Sequence, residues 1–339
     1  MKTEHILIIR FSALGDVAMM VPVVSSLARQ YPHVRVTVLS RPFARPFFEG
    51  LAPNVHFMSA DLKNEYHGVK GLNNLYRRLI AKKFTAIADF HNVLRTKYLR
   101  MRYSMAGYHV AHINKHRTEK LRLTSEHNKQ LKPLQTSFQN YADVLKKLGY
   151  PIHLDFDKIT VDAAPVFERL NTDGKHEPWI GIAPFAAHRG KIYPLEKMET
   201  VISQLVSQKP TARFFLFGGG QKEMEVFERW KQKYPRITIA GTLFKGLGEE
   251  LLLMSQLDVM LSMDSANMHL ASMMGTRVVS IWGATHPYAG FMGWNQKEED
   301  AVQLPLDCRP CSIYGGKKCF RGDYACLNNI PPENIVERI

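Results

Sequence analysis

The chain has no cysteine before residue 308 and no uninterrupted apolar run approaching the length of a membrane span. The first absence keeps disulfides out of any core built by the bulk of the sequence, and the second excludes a spanning helix. The apolar stretch at the N-terminus carries Arg10 and Asp16, which sets it apart from a secretory leader, so a cytoplasmic protein is expected. Acids are scarce in one place. Between Lys63 and Lys132 there are 16 Lys or Arg against four acids, a local charge of +12 within a whole-chain charge of +14. Such asymmetry implies an anionic partner: nucleic acid, an acidic membrane surface or a phosphorylated substrate; a solvated basic face is the plainer alternative. Aromatics between Arg95 and Lys132 are few (Tyr98, Tyr103, Tyr108), and no helix-turn-helix, zinc-finger or RNP signature is present. Nucleic acid is therefore not expected.

What the chain does have is alternation. Apolar runs at 6–9, 34–40, 54–60 and 84–90 read as buried strands, with helical spacing at 17–27, around 43–51 and at 72–83 between them. The basic pieces 95–106 and 116–132 have loose helical spacing, and an amphipathic helix over 134–148 ends at Gly149-Tyr150-Pro151. One short strand is expected at 158–161. Strands at 179–185, 212–218, 237–241, 259–263 and 278–282 then alternate with helices at 194–208, 222–234, 248–256 and 266–274. Short connections of this kind mark parallel sheets covered on both faces. At 339 residues with 45% hydrophobic composition there is material for two such cores. The expected fold is α/β, with two Rossmann-like doubly wound domains facing across a cleft. The N-terminal domain spans 1–160, a linker 161–178 and the C-terminal domain 179–322. For the tail, 323–339, packing back on the N-terminal domain is one option.

The most legible stretch is LDVMLSMDSANMHLASMMGTRVVSIWGATHP, from Leu257 to Pro287. It reads as strand, helix, strand, with Asp264 and Ser265 at the helix start and His269 one turn in. Helix starts at the carboxyl edge of an open sheet offer free N–H groups and a positive dipole end to a phosphate. Two more loops of the same half end strands: AAHRGKIYP, carrying Arg189 and Lys191, and GGGQKE, where Glu223 is placed to accept ribose hydroxyls. Together they suit a nucleotide diphosphate. In the N-terminal half, RFSALGD joins the first strand to its helix with a single glycine, so G-x-G-x-x-G dinucleotide binding is not supported. That loop presents Asp16, which reads equally as a helix-capping acid or a functional carboxylate.

FSALGDVAMMVP resembles the S-x-L-G-D-x-x-x-x-x-P opening of glycosyltransferase family 9, the heptosyltransferases of lipopolysaccharide core assembly. DSANMHLASMMGTRVVSIWGATHP resembles that family's long second signature, and CRPC…C…C followed by IPPENIVERI its tail. The resemblance implies a GT-B architecture and inverting, metal-independent transfer of heptose from ADP-heptose to a Kdo-lipid A type inner core. It implies Asp16 as the base for the acceptor hydroxyl, with Lys191 and the helix start at Ser265, Ala266 and Asn267 receiving the departing diphosphate. Glu223, Asp264 and His269 would complete the donor site. Ser12 and Gly15 of the first motif fall on the acceptor side, where Arg95, Lys97, Lys115 and Arg117 would hold acid groups of a lipid-linked oligosaccharide. The implied location is peripheral, on the acidic inner face of the inner membrane. Ala266 departs from the family, where most members have Gly. Two rival functions remain at this point: a nucleotide-sugar epimerase or hydrolase on the same scaffold, and a non-catalytic binder of anionic membrane or nucleic acid.

Cys308, Cys311, Cys319 and Cys326 have the spacing C-x2-C-x7-C-x6-C. In a cytoplasmic setting this suits either a small structural zinc site or reduced packing cysteines. No cofactor is expected in catalysis.

Overall fold

The computed structural model describes residues 4–339. They form two compact units. The first comprises residues up to 115 together with 136–157, and the second comprises 116–135 together with 158–339.

The first unit is built on a five-stranded parallel sheet of β1 (His5–Ile9), β2 (Arg35–Ser40), β3 (Val55–Ser59), β4 (Ala86–Asp89) and β5 (His109–His112), in the order β3-β2-β1-β4-β5. β1 is fully buried, as a central parallel strand with helices on both faces must be. The strand order reverses between β1 and β4, and the loops leaving these two strands flank the place where such sheets take ligands. β5 is not expected from the sequence. Its HVAH pattern puts both histidines in solvent, as edge strands permit, and so lacks the apolar run that marks its neighbours. The helix Ser137–Lys147 starts with a reciprocal cap, in which Thr136 Oγ1 accepts the Gln139 N–H at 3.2 Å and Gln139 Oε1 accepts the Thr136 N–H at 2.9 Å.

The second sheet contains β6 (Trp179–Ala183), β7 (Arg213–Leu216), β8 (Ile237–Ile239), β9 (Val259–Met263), β10 (Arg277–Ile281) and β11 (Ala301–Val302). All are parallel, in the order β11-β10-β9-β6-β7-β8, so this sheet reverses between β6 and β9. β11 has two residues, too short to read from sequence. The strand expected at 158–161 does not form; Ile159 instead gives one backbone hydrogen bond to Met273 O at 2.9 Å.

Two expected boundaries need correction. Residues 116–135, expected within the N-terminal domain, belong to the second unit: the Leu134 N–H donates to Tyr288 O at 2.8 Å, and Lys120 Nζ lies 4.8 Å from the Phe291 ring centroid. The tail is built into the second unit rather than the first. Leu327, Ile330 and Ile335 are buried in its core, and the Tyr193 hydroxyl donates to Ile330 O at 2.8 Å. The tail's apolar residues find cover where the helix Leu195–Gln208 presents an apolar face.

Candidate active site

In the first unit, the chain leaves β1 through Arg10 and enters the short helix Leu14–Ala18, whose first turn holds Asp16. Arg10 Nη2 pairs with Asp16 Oδ2 at 2.7 Å, and Nη1 donates to Phe90 O at 2.6 Å. The Ala13 N–H donates to the same carboxylate oxygen at 3.0 Å. The Tyr141 hydroxyl donates to Asp16 O at 3.1 Å, and its ring lies under the Arg10 guanidinium at 5.7 Å. Asp16 is thus oriented from three directions while its side chain keeps access to solvent.

His91, just past β4, completes this corner. Its Nδ1 accepts the Phe11 N–H at 3.4 Å, which leaves Nε2 to carry the proton toward Ser12 Oγ at 3.3 Å. Burial, with Arg10, Lys115 and Arg95 nearby, pushes its pKa down to about 3 against the opposing pull of Asp16. His91 is therefore a neutral hydrogen-bonding group at physiological pH. Of the acceptor-side candidates, Ser12, Arg95 and Lys115 fall around this corner, and Gly15 is in the Asp16 helix. Lys97 is exposed on the helix Leu94–Met105, and Arg117 belongs to the second unit.

In the second unit, β9 ends at Asp264, and the helix Ala266–Met273 begins immediately. Asp264 is buried and receives two donors on Oδ2: Lys191 Nζ at 3.0 Å, from the loop after β6, and Thr285 Oγ1 at 2.7 Å, from the loop after β10. Three adjacent strand ends therefore converge where the strand order reverses. Ser265 is the N-cap, yet its side chain accepts nothing from its own helix; its Oγ lies 3.2 Å from Ser262 Oγ. Ser265, Ala266 and Asn267 are half-exposed at the helix start, and His269 is buried one turn further in. Glu223 is turned to its own loop: Oε2 accepts the Gly219 N–H at 2.9 Å and the Gly220 N–H at 3.4 Å. Its position suits holding the triple-glycine turn as much as meeting a sugar hydroxyl.

The cysteine-bearing segment lies behind this site. Arg309 is buried between Cys308 and Cys311, and its guanidinium donates to the carbonyls of Gly283, Thr285 and Leu304 and to Gln303 Oε1. The amides of Cys311 and Ser312 donate to Ala284 O, both at 3.1 Å. Gly315, at φ +79°, leaves room for the Lys191 stem, which a Cβ would strike. The segment thus holds both Thr285 and Lys191 in place. Among the described residues, no three His, Cys, Asp or Glu side chains are grouped to hold a metal ion, so the zinc reading gains no support from the geometry. The thiols are free, and burial raises Cys311 and lifts Cys326 to about 11.

His91, Tyr141 and Arg309 are not legible in the sequence because each acts on a partner distant in the chain, and Arg10 because Phe90 O, from the end of β4, helps to hold it beside Asp16. For Arg309 a local signal existed: an arginine between two cysteines beside the site's last loop.

The sequence profile of glycosyltransferase family 9 (heptosyltransferase) matches residues 72–317. The chain belongs to that family. Among curated relatives, lipooligosaccharide heptosyltransferase 2 of Campylobacter jejuni subsp. jejuni serotype O:6 is 26% identical over 130 residues, covering 37% of this chain and 39% of the relative. The chain thus matches about two-fifths of that relative's length. Among solved structures, the E. coli ADP-heptose LPS heptosyltransferase II aligns with a TM-score of 0.69 at 16% identity, over 98% of this chain and 97% of that one. A family 9 glycosyl transferase from Veillonella parvula aligns at 0.74 and 17% identity, over 100% and 96%. Both show that the family 9 chain has the two-sheet GT-B fold, with helices flanking each parallel sheet.

One titration in the second unit is open to measurement. Glu250, on the helix Leu247–Met254, is lifted to about 7 by burial alone. The folded protein then holds this proton more tightly than the unfolded chain, so stability falls as pH rises from the ordinary carboxylate range through about 7. Glu250→Gln should melt with the wild type at pH ~5 and about 2–4 °C above it at pH ~8. A melting difference that does not change with pH would refute the assignment.

Proposed function

We propose that this protein transfers heptose from ADP-heptose, with inversion at the anomeric carbon, to an acidic, lipid-linked inner-core acceptor of the Kdo-lipid A type. The observation that carries the reading is the meeting of Lys191, Thr285 and Asp264 beside a half-exposed helix start, at the strand-order reversal of a family 9 chain. The acceptor hydroxyl oxygen bonds to the anomeric carbon as the bond from that carbon to the diphosphate oxygen breaks. The hydroxyl proton passes to Asp16, late in the step, once the oxygen has become acidic enough for a carboxylate to take it. The charge left on the diphosphate is met by Lys191 and by the amides at Ser265 to Asn267. Asp264 keeps the lysine pointed at that position, and Thr285 shares its carboxylate so that Lys191 retains donors for a phosphate. Arg95 and Lys115, near Asp16, suit the acid groups of the acceptor.

The test is ADP release from ADP-heptose with and without a Kdo-lipid A acceptor. Release that requires acceptor, with the sugar recovered on the lipid, is expected. Release without acceptor would assign hydrolysis instead.

A further inference from the structure

The helix Leu94–Met105 buries only Thr96, Leu99 and Tyr103. On its outer side Leu94 is 85% exposed, Met101 49% and Met105 79%. Spacings of seven and four residues set these three in a single stripe along the helix. The helix Gly68–Ile80 packs alongside: Arg102 Nη1 donates to Asn73 Oδ1 at 2.8 Å, and its guanidinium lies 4.5 Å from the Tyr76 ring centroid. Val69, one turn from Asn73 on that helix, is 69% exposed. Residues 66–110 contain nine Lys or Arg and one acid, Asp89. Asp89 is buried and tied to Arg100 at 3.1 Å, so it offers nothing to the surface. Arg78 lies 4.0 Å from Glu65, just outside that span, so this helix pair shows solvent a row of flexible aliphatic side chains set among a net excess of cations.

We propose that this face docks the protein on an anionic lipid bilayer. Leu94, Met101, Met105 and Val69 enter the boundary between headgroups and acyl chains, while the flanking Lys and Arg meet lipid phosphates. Charge complementarity selects an anionic surface. The aliphatic stripe selects a bilayer over a nucleic acid, which would favour aromatic stacking partners. The inference extends the reading of a lipid-linked acceptor, since such an acceptor is reached only at a membrane surface.

Co-sedimentation with phosphatidylcholine vesicles, with and without about one-third phosphatidylglycerol, tests it at physiological ionic strength. The wild type should partition to the anionic vesicles and not to the neutral ones. The triple variant Leu94→Ser/Met101→Ser/Met105→Ser should lose about a hundredfold in partition coefficient, with its thermal melt unchanged because the positions are exposed. Leu94→Trp should bind at least as well, with a blue shift of its fluorescence on adding anionic vesicles. Equal binding to neutral vesicles, or unchanged partition of the triple variant, would overturn the proposal. Displacement by a polynucleotide with the triple variant unaffected would assign the face to nucleic acid. Transfer to a delipidated acceptor should be the same in the wild type and the triple variant. If the wild type bound vesicles as described yet transferred no heptose, the reaction would fall and the docking face would stand.

Discussion

Asp16→Asn is expected to lower kcat for sugar transfer by about 10²–10⁴-fold while leaving ADP affinity within about twofold. The substitution keeps the side chain's shape and an acceptor for the Ala13 N–H, and removes the negative charge that pairs with Arg10 at 2.7 Å. Two roles are compatible with the position. As a capping acid, Asp16 would orient Arg10 and the β1 loop, and its loss would appear as a lower melting temperature with transfer largely kept. As the base, its loss removes the destination of the acceptor proton, which no change in substrate concentration restores. ADP release, ADP binding by calorimetry and a melt on one preparation separate the two. A transfer rate within about tenfold of wild type would sink the catalytic role.

Lys191→Met should cost about 10²–10³-fold in kcat, about 2.7–4.1 kcal/mol of leaving-group stabilisation. Methionine keeps the apolar stem over Gly315 and deletes the charge. It also leaves the buried Asp264 with Thr285 but without its cation, so a carboxylate then faces the diphosphate. Donor binding should weaken for this second reason. Adding Asp264→Asn to Lys191→Met should therefore recover donor affinity without recovering kcat. If the second substitution restored turnover as well, the lysine would be a structural counter-ion only.

The sequence exposed the parts of this site that are local. β1, its loop and Asp16 are contiguous, as are β9, Asp264 and the helix that follows, and each reads from apolar run to cap within a dozen residues. Lys191 was legible for the same reason, as a cation in a loop that ends a strand. Its pairing with Asp264 was not, because it depends on β6 and β9 being neighbours, which strand order alone decides. Arg10 reaches Phe90 O, and His91 the Phe11 N–H, across 80 residues of chain, and both contacts exist only because β4 lies beside β1. The basic segment is one block of charge in the sequence, but its pieces separate: Arg95 and Lys115 fall near Asp16, the helix Leu94–Met105 shows an aliphatic stripe, and Arg117 sits in the other unit. Charge summed along a chain says nothing about which surface each residue reaches.

The backbone passes from one unit to the other three times, near residues 115, 135 and 157. No single cut therefore yields both halves as continuous polypeptides. A fragment ending before β6 would carry residues 116–135 without Tyr288, Phe291 and Asp307, against which they lie. A faithful first half needs residue 115 spliced to residue 136 with the intervening twenty residues excised, and a faithful second half needs those twenty returned as a fused or added peptide.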